Sequence, residues 1–567
     1  MKKQLLNKRL LFVVLSVALI TMLSLTAFAN VDKVKKAQSM VSQAELPKMY
    51  DTNGDKVFEN LQVQMDLAKE GVKIPVMVMF NKQVNTKSEL NTFMQGYEVK
   101  YQFQNIPAAV MELTKTEIEV LAKMDFISHI EYDQPVHICM ETANQWYGAT
   151  KARTDFGVNG DKDGNLTSYT KNDVVIAIID TGIDGTHVDL DGGKIIGWKD
   201  YVNNQTTPYD DHYHGTHVAG IAAGSGDGNS QYVGVAKGAA LVGLKVLDSN
   251  GSGSMSNVAA SVDWCVTNKS TYGIDVINMS LGTSGSSDGT DITSVACNNA
   301  VDAGISVVVA AGNSGPNKKT IGSPGAAAKV ITVASMYDVG ENGYVLAKYS
   351  SRGPTADERM KPDIAAPGTN ITAANANTTN GYRTISGTSM ASPFTAGTVA
   401  LMLDANPSLT PAQVKTTLAN TALDWGTTGQ DVDFGHGRLD AYEAIKDAGN
   451  YTGTNIVVPN HFVKHEDLAA TGKTDVWSFN VTNTSYPIAI SMITKNFTSS
   501  IDFDINLIDP SGTRVTYSWY GGRQETIRFA PTVTGTYKLE VDSYRGSGSY
   551  FFDISAGTSS VTLTQDE

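Results

Sequence analysis

Three short segments carry residue types that together could turn a weak nucleophile into a strong one. They are Asp-Thr-Gly-Ile-Asp at 180–184, His-Gly-Thr-His-Val-Ala-Gly at 214–220 and Gly-Thr-Ser-Met-Ala-Ser-Pro at 387–393. A serine hydroxyl attacks poorly at neutral pH. It needs a histidine to take its proton, and that histidine needs a carboxylate to fix its tautomer and stabilise its cation. Asp180, His214 and Ser389 supply one of each, among glycines and alanines small enough to let a backbone approach closely. Taken singly, the three read as a strand-end cap, a polar group at a helix start and a helix N-cap. Their occurrence together, inside one five-residue and two seven-residue segments, outweighs those ordinary readings.

The chain order Asp, His, Ser and the wording of the motifs resemble the subtilisin-like serine proteases. The resemblance implies that Ser389 attacks a peptide carbonyl, that His214 acts as general base and then general acid, and that Asp180 orients the imidazole. Asn313, in Ala310-Ala311-Gly312-Asn313-Ser314-Gly315, matches the family's oxyanion-hole asparagine. The Ser389 backbone N–H, at a helix N-terminus, would be the second donor to the developing oxyanion. Ser280-Leu281-Gly282 resembles the strand segment that pairs with substrate backbone, and Gly251-Ser252-Gly253 the opposite edge, so that an extended peptide would lie between them. Ala310, Ala311, Gly312 and Gly322 would wall a roomy uncharged pocket suited to large apolar side chains.

Three features depart from the family pattern or leave choices open. Tyr213 stands where glycine is common, and from the residues alone His212 or His217 could also serve as the base. The His214-Gly215-Thr216-His217 pattern favours His214 and leaves His217 to pack in the following helix. Gly224–Tyr232 does not reproduce the family's longer calcium loop. Asn159–Gly164 and Asp51–Asp55 look like halves of EF-hand loops, but without glutamate at the twelfth position they read as solvated acidic turns. The resemblance still implies structural calcium, and no cofactor for catalysis.

The expected activity is that of a broad-specificity endopeptidase acting on proteins or peptides. Two other readings compete. A kexin-type processing enzyme would need acidic pocket residues to accept basic pairs, and the pocket segments contain none. A non-catalytic surface-binding protein would not need a complete Asp–His–Ser set with Asn313.

The elements that must position these residues belong to a chain of 567 residues, too long for one core. Its 41% apolar and 18% charged composition is globular, and its net charge of −14 argues against nucleic-acid binding. Lys2, Lys3, Lys8 and Arg9 precede an apolar run from Leu10 to Leu25 and an Ala27-Phe28-Ala29 cleavage site. Residues 1–29 therefore read as a signal peptide removed after Ala29, giving a secreted protein without a membrane anchor. Cys139, Cys265 and Cys297 are too few for a disulfide scaffold, and the last two read as small buried apolar residues, with a bridge between them the lesser alternative.

Residues 30–140 hold an apolar run at Ile74–Phe80, an alternating stretch at Tyr101–Leu113, a helix pattern at Glu117–Met124 and a last strand at Ile127–Asp133. That order resembles the inhibitory propeptide of the same family. It would act as an intramolecular inhibitor, cut just after Asp133. Residues 141–450 alternate apolar strand-length runs (Val174–Ile179, Ala240–Leu247, Val276–Leu281, Ile305–Ala310, Val330–Ala334) with helical stretches such as Ser256–Asn268 and Asp291–Ala303. This predicts an α/β fold with a doubly wound parallel sheet and its chemistry at the carboxyl ends of strands. Residues 455–567 are rich in Thr, Ser, Tyr and Val in short alternating runs, predicting an all-β jelly-roll-like sandwich. Phe503–Gly512 and Gly535–Val541 there resemble the bacterial pre-peptidase C-terminal domain. The mature protein is expected to be a monomer.

Overall fold

A computed structural model describes residues 54–69, 71–81, 99–102, 108–132, 140–165 and 168–566. The signal peptide, Cys139, most of the Asp51–Asp55 loop and the expected cleavage segment after Asp133 lie outside the described residues. Two compact units divide the chain, residues 1–137 and 138–567.

The first unit is a four-stranded sheet in the order β2-β3-β1-β4, with β1 at Lys73–Phe80, β2 at Val99–Gln102, β3 at Ala108–Thr114 and β4 at Ile127–Tyr132. The paired strands run antiparallel. Helix α1 (Glu59–Leu67), whose weak amphipathic pattern drew no expectation, buries Leu61 and Met65. Helix α2 (Lys115–Ala122) starts where Thr114 and Glu117 cap it reciprocally, Glu117 N donating to Thr114 Oγ1 (3.3 Å) and Thr114 N to Glu117 Oε2 (2.7 Å). It turns Ile118, Leu121 and Ala122 into the core, as its sequence pattern predicts.

The second unit is built on a seven-stranded sheet. Its strands are β5 (Val175–Asp180), β6 (Ile195–Asp200), β7 (Ala240–Lys245), β8 (Ile274–Met279), β9 (Ser306–Ala310), β10 (Ile331–Met336) and β11 (Ile364–Pro367), in the order β11-β10-β9-β8-β5-β7-β6. Every pairing is parallel. All five expected strands are present, and they are buried along their length, as parallel strands covered on both faces must be. The two unanticipated strands, β6 and β11, are the sheet's edges; β6 mixes Trp198 and Lys199 into its run and is half-exposed. The helices that bear on the site are α3 (His214–Ala223), α4 (Met255–Thr267), α5 (Ile292–Asp302) and α6 (Thr388–Ala405). Cys265 and Cys297 are buried and free, on α4 and α5.

Beyond Pro459 the chain forms two antiparallel sheets. One runs in the order Asn460–Leu468, Gly548–Ala556, Ile488–Thr494, Gln524–Phe529; the other in the order Arg514–Ser518, Asp502–Ile508, Gly535–Arg545, Thr474–Val481, Thr562–Asp566. Their facing side chains, among them Trp477, Phe479, Phe503, Leu539 and Phe552, make a core of their own. The sandwich is also fused to the α/β body. Ile493 and Phe551 join the apolar cluster around α6, and the Trp425 ring stacks on His461 at 4.0 Å. At the same joint Arg523 pairs with buried Asp433, while the buried Arg352 donates to Gln524 Oε1 (2.7 Å).

Candidate active site

Strand β5 has β7 on one side and β8 on the other, so the sheet's winding reverses beside it and opens a crevice at its carboxyl end. Asp180 is the last residue of β5 and is fully buried. Its Oδ1 accepts from His214 Nδ1 (2.7 Å) and from Thr181 N (2.7 Å). A proton held on Nδ1 leaves Nε2 as the basic nitrogen of a neutral ring.

His214 is the first residue of α3, and that helix start is built by a residue the sequence reading passed over. Buried Asp210 accepts from His212 N (3.0 Å), Tyr213 N (3.1 Å), Thr216 N (2.9 Å) and Thr181 Oγ1 (3.0 Å). Thr181 Oγ1 in turn accepts from Gly215 N (2.8 Å), which closes the turn against β5. The approach is so tight that a Cβ on Gly215 would lie 2.1 Å from the Gly182 carbonyl oxygen, so only glycine fits. Tyr213, the N-cap residue, holds φ at 128°, a conformation costing on the order of 1–3 kcal/mol in a non-glycine residue. Its ring is clamped between His212 (4.2 Å, stacked) and the Arg383 guanidinium (3.8 Å), which offsets that strain.

Ser389 is the second residue of α6. Four residues later comes Pro393, which has no N–H to give to the Ser389 carbonyl. Ser280 Oγ donates to that carbonyl instead (2.8 Å), and Ser389 Oγ donates back to the Ser280 carbonyl (3.1 Å). Behind them Asn278 Nδ2 donates to Ser280 Oγ (3.1 Å) and Ser392 Oγ donates to Asn278 Oδ1 (2.7 Å), so a polar chain crosses from β8 into α6. Asn278 was legible as a polar residue inside an apolar strand run. The Ser280–Ser389 exchange, across 109 residues of sequence, was not.

Asn313 follows β9. Its Oδ1 accepts from Thr388 N (3.0 Å) and Thr388 Oγ1 (3.0 Å), and those donors fix the amide so that Nδ2 faces away from them. The position a Cβ would occupy on Gly387 lies 3.5 Å from both Asn313 Nδ2 and Ser389 N. Two N–H donors therefore converge on one open spot beside Ser389.

The remaining expected residues fall into two adjoining cavities that share Ser280, Leu281 and Gly282. One, of about 290 Å³, is lined by Ala310, Ala311, Gly312, Asn313, Gly322 and Ser389 among others and has no charged lining residue. The other, of about 450 Å³, brings His214 and His212 together with Gly251, Ser252 and Gly253. The expected substrate-binding residues thus all line these two cavities, with His214, Asn313 and Ser389 among them and Asp180 buried behind His214.

The electrostatics separate the histidines. Burial alone would lower the pKa of His214, but the charge and hydrogen bond of Asp180, backed by Asp210, hold it above the ordinary 6.5. His217 is pushed down to about 3 by burial, and its Nε2 donates to the Arg383 (2.9 Å) and Ile371 (3.1 Å) carbonyls. It is a neutral packing residue of α3, as its motif position suggests.

Residues 171–437 match the subtilase family, residues 473–543 the bacterial pre-peptidase C-terminal domain and residues 52–117 the Tk-SP N-propeptide domain. Serine protease AprX of Bacillus subtilis (strain 168) is 37% identical over 371 residues, covering 61% of this chain and 81% of its own. Subtilisin J of Geobacillus stearothermophilus is 33% identical over 380 residues, 65% of this chain and 91% of its own. Halolysin of Haloferax mediterranei is 33% identical over 465 residues, 79% of this chain and 82% of its own.

Proposed function

The chain belongs to the subtilase family of serine proteases, and on that premise we propose that it is a secreted, self-processing endopeptidase with Ser389 as nucleophile, His214 as general base and Asp180 as the carboxylate that orients it. The observation that carries this reading is the 2.7 Å Asp180–His214 bond opening onto the crevice that holds Ser389 and the two converging donors. A peptide enters as a strand between Ser280–Gly282 and Gly251–Gly253. Ser389 Oγ then turns from the Ser280 carbonyl toward His214 Nε2, gives up its proton there and attacks the scissile carbonyl. Asn313 Nδ2 and Ser389 N receive the oxyanion. His214 passes its proton to the leaving amine, and a water repeats the sequence on the acyl-enzyme. The uncharged cavity beside Ser389 receives the side chain preceding the cut, so large apolar residues are preferred over Arg, Lys or Asp there.

The deciding experiment is mass spectrometry of wild type and Ser389→Ala, purified side by side, with a panel of peptides varied at that position. Wild type is expected to lose the propeptide and to cut after large apolar residues, while the variant stays uncut. Identical trimming of both proteins would reject self-processing.

Two further outcomes follow from the geometry. Asn313→Ala leaves KM close to wild type and lowers kcat about 10²–10³-fold, as loss of one oxyanion donor does. An unchanged kcat would remove Asn313 from the mechanism. Because only neutral His214 can accept the serine proton, kcat/KM rises with pH, with a midpoint above 6.5 where Asp180 holds it. Histidine protonation below that midpoint shuts the reaction off, and a midpoint below 6.5 would contradict the Asp180 pairing.

A further inference from the structure

We propose that Asp161, Asp163 and Asp173 form a binding site for one calcium-like divalent cation in the loop that leads into β5. One oxygen from each carboxylate lies within 4.8 Å of the other two. Among the described residues none of the three forms an ion pair. Lys162, between two of them in sequence, reaches away to Asp275 Oδ2 (2.9 Å), and buried Lys194 donates to the Lys237 carbonyl (2.7 Å) beneath the Tyr169 ring.

The independent sign of a ligand is Asp173. It is 0% exposed, its Oδ2 accepts from Thr170 N (2.7 Å), and its Oδ1 is buried with no hydrogen-bond partner. A buried carboxylate oxygen without a donor is a costly arrangement, and coordination to a divalent cation is a direct way to satisfy it. The other two carboxylates are held in place from behind. Asp161 Oδ1 accepts from Gly164 N (2.8 Å) and Asn165 N (3.2 Å), and Asp163 accepts from Asn165 N (3.0 Å) and Thr170 Oγ1 (3.2 Å). The reading of this loop as a solvated turn for want of a twelfth-position glutamate is thereby revised, because Asp173 brings in the closing carboxylate from the far end of the loop. An all-oxygen set suits a hard cation and disfavours zinc or copper, and the exposed side at Asp163 leaves room for water ligands.

The site sits where it would brace the catalytic scaffold. Gly160 accepts from Val174 N (2.9 Å) just ahead of β5, which ends in Asp180. Asn159 N and Gly160 N both donate to Asp404 Oδ2 (2.8 and 2.9 Å), near the end of α6, the helix that carries Ser389. A cation here ties the loop between the two elements that present the nucleophile and the orienting carboxylate.

The test uses the full chain carrying Ser389→Ala, so that self-digestion does not intrude, stripped with EDTA and titrated calorimetrically with calcium chloride. Asp161→Asn and Asp163→Asn, each added to that chain, are expected to lose one calcium equivalent or to bind it about tenfold or more weakly, and to lose the accompanying calcium-dependent rise in Tm. Asp163, the exposed member, keeps the test decisive if changes nearer Asp173 impair folding. A parent chain that binds no calcium, or variants that match the parent in stoichiometry and Kd, would overturn the proposal.

Discussion

Replacing Ser389 with alanine is expected to lower kcat on a peptide amide by about six orders of magnitude with KM nearly unchanged, the size typical of removing a triad nucleophile in this family. In the proposed mechanism the serine contributes only once attack begins, while the strand edges at Gly251–Gly253 and Ser280–Gly282 would hold the peptide. His214→Ala should cost about as much, and the double variant no more than either alone, because nucleophile and base act as one unit. Asp180→Asn is expected to lower kcat by about four orders, since an amide at that site can donate to Nδ1 and select the wrong tautomer. About 10³–10⁴ of rate enhancement should survive in all of them, supplied by Asn313 Nδ2 and Ser389 N. A Ser389→Ala enzyme still turning over at a tenth of the wild-type rate would end this reading, and additive losses in the double variant would break up the proposed unit.

The second large effect lies far from the chemistry in sequence. Arg523, in the C-terminal sandwich, donates through both terminal nitrogens to Asp433 and also to the Pro316 carbonyl (3.1 Å). Pro316 is three residues beyond Asn313, on a loop pinned further by Gly315 N to the Tyr349 carbonyl (2.8 Å) and Ser351 N to the Gly312 carbonyl (2.8 Å). Burial would raise the pKa of Asp433, but Arg523 and Arg352 keep it below the ordinary carboxylate range. Arg523→Ala leaves that buried charge short of a partner and frees one side of the Asn313 loop. Unfolding stability, measured on the Ser389→Ala background, is expected to fall by about 3–5 kcal/mol. On the active enzyme kcat should fall with little change in KM, the mark of a misplaced oxyanion donor as opposed to lost substrate contacts. A depressed carboxylate stabilises the fold above its unfolded pKa and stops doing so as pH falls through its folded value. The gap between wild type and Arg523→Ala should therefore narrow in acid. Equal stability at neutral pH would show that the joint carries no weight.

What the sequence made legible was whatever is local. The catalytic candidates stand in short motifs, each readable as a contiguous run of residues, even where the packing that demands a neighbour such as Gly215 comes from Gly182 on another segment. The five inner strands announce themselves because burial on both faces demands unbroken apolar runs. The edges were missed for different reasons: β6 is half-exposed and mixes Trp198 and Lys199 into its run, while β11, though buried, is only the four residues Ile364–Pro367 and ends in proline. The supports that act across long separations were missed as well. Arg523 meets Asp433 over 90 residues, Asp210 ties the α3 start to Thr181 at the end of β5 from 29 residues away, and Asp173 comes beside Asp161 and Asp163 only through the loop's return. None of these leaves a periodic trace, because each is fixed by how elements pack and not by the pattern within one.

The joint between sandwich and α/β body also bears on how the chain ages in the presence of its own activity. The segment joining them, residues 452–457, is largely exposed and holds no regular structure, with Val457 73% accessible. It is the kind of exposed, extended segment that the proposed endopeptidase activity would cut. Yet the two parts are held by Arg523–Asp433, Arg352–Gln524, Trp425–His461 and the apolar contacts of Ile493 and Phe551, none of which needs a continuous backbone. A cut there would produce two polypeptides that migrate apart when denatured and travel together when native. Covalent integrity and structural integrity are separate properties of this enzyme.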